Sequence, residues 1–312
     1  MSCIWIFSED TQLSVRLLGL ARSLAEGTAD RVEAVTLDGS AADVLSFSGA
    51  ETVYVLKGES SWPEAYADAF AKLAANAKPE LIFVAATLRG KDIAAGVAAR
   101  LQAGLVSDAI AVHRSGSGFE TDRLMYGGLA VCTEILEGTT LVTVPAGNFE
   151  PPEQNPSRTA NILTINVDTT SPAHVGAVCP IPRIGADITA AERIVCIGRG
   201  IAKKEDVKLG EDLASALNAA VGCTRSIAED YGWMPEETYI GLSGQKISPK
   251  LYLSLGVSGQ VQHVSGIRDS KIIVGIDMNE NAPIFAATDY GIVGDLYEIA
   301  PLLTAALKAR SG

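Results

Sequence analysis

The chain has 312 residues, 47% of them hydrophobic, with a formal net charge of −12 and five cysteines. That length and apolar content can fill the cores of two ordinary domains, which argues against disorder, and the lack of any apolar run of about eighteen residues argues against a membrane-spanning helix. The acidic balance without Lys/Arg clusters speaks against a nucleic-acid partner, and Cys3, Cys132, Cys179, Cys196 and Cys223, with no C-x-x-C pair among them, read as reduced thiols rather than as metal or iron–sulfur ligands.

The first residues, MSCIWIFSEDT, lack a basic leader or cleavage pattern, so a cytoplasmic protein is expected. Cys3–Phe7 predicts a buried strand and Asp10 to Glu26 an amphipathic helix. Val32–Leu37, Thr52–Leu56 and Leu81–Ala86 predict further strands, with helices over Pro63–Asn76 and Lys91–Gln102. Apolar strands alternating with helices imply a parallel sheet covered on both faces. From Ile110 to Pro145 short runs punctuated by glycine predict hairpins added to that sheet. Gly147 to Asp187 carries Pro151, Pro152, Pro156, Pro172, Pro180 and Pro182 and predicts an extended boundary segment. A second series then begins near Ala190: a strand at Arg193–Ile197, a helix around Glu211–Val221, strands near Tyr239–Leu242, Leu251–Val257 and Lys271–Asp277, and a helix from Asp295 to Ala309. The expected architecture is α/β, with a Rossmann-like N-terminal domain over 1–189 and a second α/β domain over 190–312 that also holds a parallel sheet.

Glycine-containing turns follow three of the later apolar runs: Gly198-Arg199-Gly200, Gly241-Leu242-Ser243-Gly244 and Gly256-Val257-Ser258-Gly259. Ligands of open α/β sheets bind at the carboxyl ends of strands, where glycine lets backbone approach a phosphate. A single G-x-G pair is a weak signal, and Gly198–Gly200 lacks the full dinucleotide fingerprint; the clustering of three turns strengthens a nucleotide reading without naming the ligand. The third turn leads into a helix expected over Gln260–Gly266, whose first N–H groups would face an anion. Arg225 reads either as a surface cation or as a guanidinium stacked on a flat ring. His263 reads either as a satisfied structural histidine or as a site residue, and His113 and His174 carry no functional reading.

The stretches Gly241–Gly244, Ser248-Pro249-Lys250-Leu251-Tyr252-Leu253-Ser254-Leu255-Gly256-Val257-Ser258-Gly259-Gln260-Val261-Gln262-His263, Ala282-Pro283-Ile284-Phe285 and Asp289-Tyr290-Gly291-Ile292-Val293-Gly294-Asp295-Leu296 together resemble the alpha subunit of electron transfer flavoproteins. Ala85-Ala86-Thr87-Leu88-Arg89-Gly90-Lys91 and Met125-Tyr126-Gly127-Gly128-Leu129-Ala130 are similar to the Fix branch of that family. The resemblance implies an FAD held by the second domain. Arg199 would meet the pyrophosphate region, Thr224 would bond nearby, and Arg225 would lie over the isoalloxazine. Ile240, Gly241, Leu242 and Ser243 would belong to the cofactor site, with the Ser243 hydroxyl near the flavin N5. Ser258, Gly259, Gln260, Val261 and Gln262 would wrap the pyrophosphate and ribityl chain, His263 would donate to O2, and Asp295 and Leu296 would border the adenosine. Two departures stand out: Thr224 replaces a frequent Ser, and Asp277 replaces the usual Asn, where a carboxylate would accept a ribose hydroxyl but repel a phosphate.

The resemblance further implies an electron carrier rather than an enzyme, with no catalytic acid, base or nucleophile. A beta subunit would complete a heterodimer. Electrons would come from an acyl-CoA-type dehydrogenase or from NADH and leave to another flavoprotein or a quinone-linked oxidoreductase. Electron bifurcation would depend on a second flavin in the partner. The rival classes are a stand-alone nicotinamide-dependent dehydrogenase, which needs a complete glycine fingerprint, and a nucleotide-binding regulatory module.

Overall fold

The computed structural model describes residues 2–116, 118–145, 149–169, 173, 175–177, 179 and 187–311. The chain divides into two units, Met1–Val178 and Cys179–Gly312. His174, Pro172, Pro180 and Pro182 lie outside the described residues.

In the first unit, β1 (Cys3–Phe7) leads to α1 (Thr11–Ala25), whose Asp10 cap accepts from the Gln12 and Leu13 N–H groups at 2.7 and 3.1 Å. Then come β2 (Arg31–Thr36), α2 (Ala42–Phe47), β3 (Thr52–Lys57), α3 (Ala67–Ala77), β4 (Leu81–Ala85), α4 (Leu88–Leu101) and β5 (Gly104–Val106). The series continues with β6 (Ala109–Ser115), β7 (Gly118–Met125), β8 (Ala130–Leu136), β9 (Thr140–Val144) and β10 (Asn161–Asn166). Seven strands form one parallel sheet in the order β10-β3-β2-β1-β4-β9-β5. Alternation along β1 splits the core between the two faces: Ile4 and Ile6 pack with Leu17 of α1, whereas Trp5 and Phe7 pack with Phe70 of α3 and Ile93 of α4. This is the expected Rossmann-like α/β layering.

Three local expectations change. The hairpins predicted over 110–145 form a separate three-stranded antiparallel sheet, β6-β7-β8, while β9 leaves it and enters the parallel sheet between β4 and β5. The segment expected as a proline-rich wrap contains β10, a proline-free stretch between its prolines that pairs parallel with β3 at the sheet edge. Helix α2 adds one short element that no long periodicity announced.

The second unit contains β11 (Arg193–Ile197), α5 (Val207–Leu217), β12 (Ala220–Cys223), β13 (Leu251–Leu255), α6 (Val261–Val264), β14 (Ile273–Asp277), β15 (Tyr290–Val293) and α7 (Leu296–Ser311). All pairs of its five-stranded sheet are parallel, in the order β12-β11-β13-β14-β15. The helix expected over 211–221 starts and stops earlier because Asn218 closes it in the left-handed region (φ 50°), which frees Ala220–Cys223 to be a strand. The strand expected at Tyr239–Leu242 reduces to single bridges from Tyr239 to Cys223 and from Ile240 to Gln245. The helix expected over 260–266 is the four-residue α6. Among the described residues, no helix is long and apolar enough to cross a membrane and no His/Cys/Asp/Glu group could hold a metal ion.

Candidate functional site

The strand order of the second sheet places its topological reversal between β11 and β13: the chain leaves β11 toward β12 on one side and later continues from β13 toward β14 on the other. Loops diverge there, and a crevice opens beyond the carboxyl ends of the two strands. Both ends carry the glycine turns. The Gly200 N–H donates to the Gly256 carbonyl at 3.0 Å and the Gly198 N–H to the Leu255 carbonyl at 2.9 Å, so the turns are stitched together. Gly256 and Gly259 take φ of 63° and 80°, and a Cβ on Gly259 would lie 2.2 Å from the Ile284 nitrogen. Only glycine fits those two positions.

A cleft of about 470 Å³ opens at this point, in the size range of small-molecule sites. Of the residues expected from sequence, Arg199, Thr224, Arg225, Ile240, Gly241, Leu242, Ser243, Ser258, Gly259, Gln260, Gln262, His263 and Asp277 line it. Val261 is exposed outside it, Leu296 is buried with its side chain against Gly200 and Gly256, and Asp295 caps α7 by accepting from the Tyr297 N–H at 2.8 Å. Gly200, Ser226, Tyr239, Gly256 and Val257 also line the cleft. Gly200, Gly256 and Val257 sit inside the glycine motifs, and Ser226 follows Arg225, so spacing points to them; Tyr239 carries no such signal, because its apolar segment has the pattern of a regular strand and forms only single bridges.

The polar groups of the cleft differ in how well they are already satisfied. The Thr224 hydroxyl is buried and has no hydrogen-bond partner, a costly state unless something in the cleft completes it. The hydroxyls of Tyr239 and Ser243 bond to each other. Arg225, at the start of the π-turn Ser226–Asp230, is two-thirds exposed and pairs with Glu229 at 2.5 Å. The Asp277 carboxylate accepts from the Asn279 N–H at 2.9 Å, closing the turn after β14.

His263 departs from the donor role that the resemblance implies. Its Nδ1 is 3.0 Å from the Ile240 carbonyl and its Nε2 is 2.7 Å from the Tyr252 hydroxyl, so both ring nitrogens are engaged inside the protein. Burial pushes its pKa down to about 4, the hydrogen bond to Ile240 opposing, which leaves the ring neutral near pH 7. The anion site expected at the start of its helix also weakens, because four residues of α6 sum to a negligible dipole.

Two cationic side chains, close-packed glycine backbone, an unsatisfied hydroxyl and an apolar wall of Ile240, Leu242 and Val257 suit a ligand that has both phosphate and a flat ring.

Comparison with known proteins agrees. The family described as "Electron transfer flavoprotein domain" matches residues 5–170, and "Electron transfer flavoprotein FAD-binding domain" matches 187–268, the region that supplies most of the cleft. The chain is 36% identical to the "Putative electron transfer flavoprotein subunit YdiR" of Escherichia coli strain K12, over 99% of both chains. It is 34% identical to "Protein FixB" of Escherichia coli O127:H6 and 32% identical to "Protein FixB" of Salmonella typhimurium, each over 98% of both chains. A solved structure titled a "putative thiamin diphosphate-dependent enzyme" from Mycobacterium smegmatis aligns over 97% of this chain and 59% of that one, at 12% identity and a TM-score of 0.25, which carries no argument.

Proposed function

The chain belongs to the electron transfer flavoprotein family, as an alpha-type electron transfer subunit, and on that premise we propose that the cleft between the ends of β11 and β13 holds FAD. The observation that carries this reading is the buried Thr224 hydroxyl, left without a partner at a glycine-lined switch point inside the matched FAD-binding region. When bound, FAD supplies the reversible uptake and release of electrons. The chain's own residues bind and orient it. Arg199 and the backbone of Ser258 to Gln262 hold the pyrophosphate, Thr224 donates its free hydroxyl, and Ser243 faces the ring. Ile240, Gly241, Leu242 and His263 close the ring's surroundings, with His263 contributing shape rather than charge. Asp277 accepts from a sugar hydroxyl, and Val261, Asp295 and Leu296 bound the far end. Arg225, released from Glu229, places a planar cation against the ring and stabilises negative charge there.

Outer-sphere electron transfer asks for no nucleophile or general base, and the subunit acts as a carrier. Its partner is a beta-type subunit in a heterodimer; its donors are a flavin dehydrogenase or NADH and its acceptors another flavoprotein or a quinone-linked oxidoreductase. Residues 190–312 form the FAD-binding domain and residues 1–189 the partner-binding one.

Purified chain, alone and co-expressed with a beta-type subunit, is examined for visible absorption and for thermal stabilisation by added FAD. Ligand at a thousand times its Kd stabilises the folded state by about 4 kcal/mol. A yellow 1:1 complex whose melting rises with FAD is expected. A colourless chain that ignores FAD both alone and with the partner overturns the assignment.

A further inference from the structure

The glycine turn Gly241–Gly244 lies across the ring of Tyr239, a cleft residue outside the proposed cofactor contacts. A Cβ on Gly244 would stand 2.5 Å from the Tyr239 carbonyl oxygen and 2.9 Å from both Cδ atoms, so the turn settles on the ring only with glycine there. The backbone on either side is pinned. The Ile240 N–H donates to the Cys223 carbonyl at 2.9 Å, and the Gln245 N–H to the Tyr239 carbonyl at 2.8 Å. The ring itself belongs to the core built with Ile197, Cys223 and Ile227, and the residue is 7% exposed. Its hydroxyl reaches the cleft and bonds to that of Ser243, an exposed residue.

Two hydroxyls joined by one bond hold two protons and share one, so a single proton is left over. The surroundings decide whose it is. Among the described residues neither hydroxyl has another hydrogen-bond partner, and the cations of the cleft, Arg199 and Arg225, can only donate. If Ser243 donated, the phenol proton would remain on the buried residue with no protein acceptor. With Tyr239 donating, the free proton belongs to exposed Ser243, where water or a ligand accepts it. A phenol is also the better donor of the two and the poorer acceptor.

We propose that Tyr239 is a positioning residue that acts through Ser243: its phenol donates to the Ser243 Oγ and turns the serine's own proton outward, making Ser243 a fixed donor to an acceptor atom on the bound ring. The proposal rests on the flavin reading only for the identity of that ring. A donor that is itself hydrogen-bonded is polarised and donates more strongly, so the pair favours negative charge gathering on the ligand.

The full-length chain is tested flavin-free and loaded with FAD, as parent, Tyr239→Phe, Ser243→Ala and the double variant. Flavin-free, the Raman difference between parent and Tyr239→Phe isolates one phenol of the eight tyrosines, and its Fermi doublet distinguishes a donating hydroxyl from an accepting one. A donating phenol is expected, and the parent spectrum should change in Ser243→Ala, where the acceptor is gone. Loaded, Tyr239→Phe should weaken FAD binding about two- to tenfold, the range of one hydrogen bond, and make the first reduction potential more negative. In the Ser243→Ala background the same change should have no further effect on either quantity, and Ser243→Thr should restore the sensitivity. An accepting phenol, or a Tyr239→Phe effect that is the same with and without the serine hydroxyl, overturns the proposal. Should Tyr239→Phe not fold, the Raman difference between parent and Ser243→Ala decides, and identical spectra overturn the proposal. Failure of the FAD assignment shows separately, as a chain whose melting FAD leaves unchanged while the hydroxyl pair is still read in the flavin-free protein.

Discussion

Gly200 and Gly256 meet backbone to backbone: a Cβ on either would lie 2.6 Å from the Cα of the other. The two strand-end turns can therefore close on each other only without side chains. Gly256 carries a second constraint, its left-handed φ of 63°. Gly200→Ala should cost about 1–3 kcal/mol through overpacking alone, and Gly256→Ala about 2–5 kcal/mol because the left-handed penalty adds to it. Urea unfolding followed by Trp233 fluorescence, Trp233 packing against the core of the second unit, measures both. Equal costs, or no cost, would mean that the turns relax apart and that their contact does not shape the cleft.

How far the sequence announced this arrangement depends on the residue. Cys3–Phe7 and Arg193–Ile197 are legible to the residue because all or nearly all their side chains are buried and turn residues bound them. Tyr290–Val293 appeared only as a motif, since all four residues are exposed on an edge strand and show no burial periodicity. The glycine turns were readable because only glycine fits them. The pairing of Tyr252 with His263 was not: eleven residues apart, they meet because the chain turns back between β13 and α6, and the hydrophobic pattern records Tyr252 simply as core. Nor could the sequence show that Thr224 would be buried without a partner, which is a property of its surroundings.

The free Thr224 hydroxyl predicts effects of opposite sign. In flavin-free chain it is a buried polar group without a bond, so Thr224→Val should stabilise by up to about 1–3 kcal/mol. With FAD bound, the same change removes a donor, and affinity should fall about tenfold, or 1.4 kcal/mol. Melting of the apo chain and titration with FAD read the two halves. A variant that is less stable when empty, or that binds FAD as tightly as the parent, would show that Thr224 already has its partner within the protein.

Arg225 and Glu229 form a competing pair: the guanidinium bonded to the carboxylate at 2.5 Å is not free to act on a ring. Removing the cation by Arg225→Ala should shift the first reduction step of bound flavin negative by about 60–130 mV, the equivalent of one charge-assisted bond of 1.5–3 kcal/mol. Neutralising the competitor by Glu229→Gln should shift it positive. Spectroelectrochemical titration of both variants checks the pair. Shifts of the same sign, or none, would return Arg225 to the role of an exposed helix-end cation.

His263 supplies the pH dependence. Its pKa is about 4 in the folded chain, lowered from 6.5 chiefly by burial. Below pH 6.5 the unfolded chain therefore binds a proton that the folded chain refuses, and stability must fall as pH drops from about 6.5 toward 4. Between pH 7 and pH 5 the loss from this one group should reach about 2 kcal/mol, at 1.36 kcal/mol per pKa unit. Carboxylates also begin to titrate near the lower limit, so the informative quantity is the difference between two proteins. His263→Gln keeps an amide in the wall but cannot take up a proton, and its stability should decline less steeply over the same interval by about that amount. Denaturant midpoints at pH 7, 6 and 5 for parent and variant measure the gap. Parallel lines would mean that the folded chain protonates His263 as readily as the unfolded one, and the wall of the cleft would then carry a positive charge in acid.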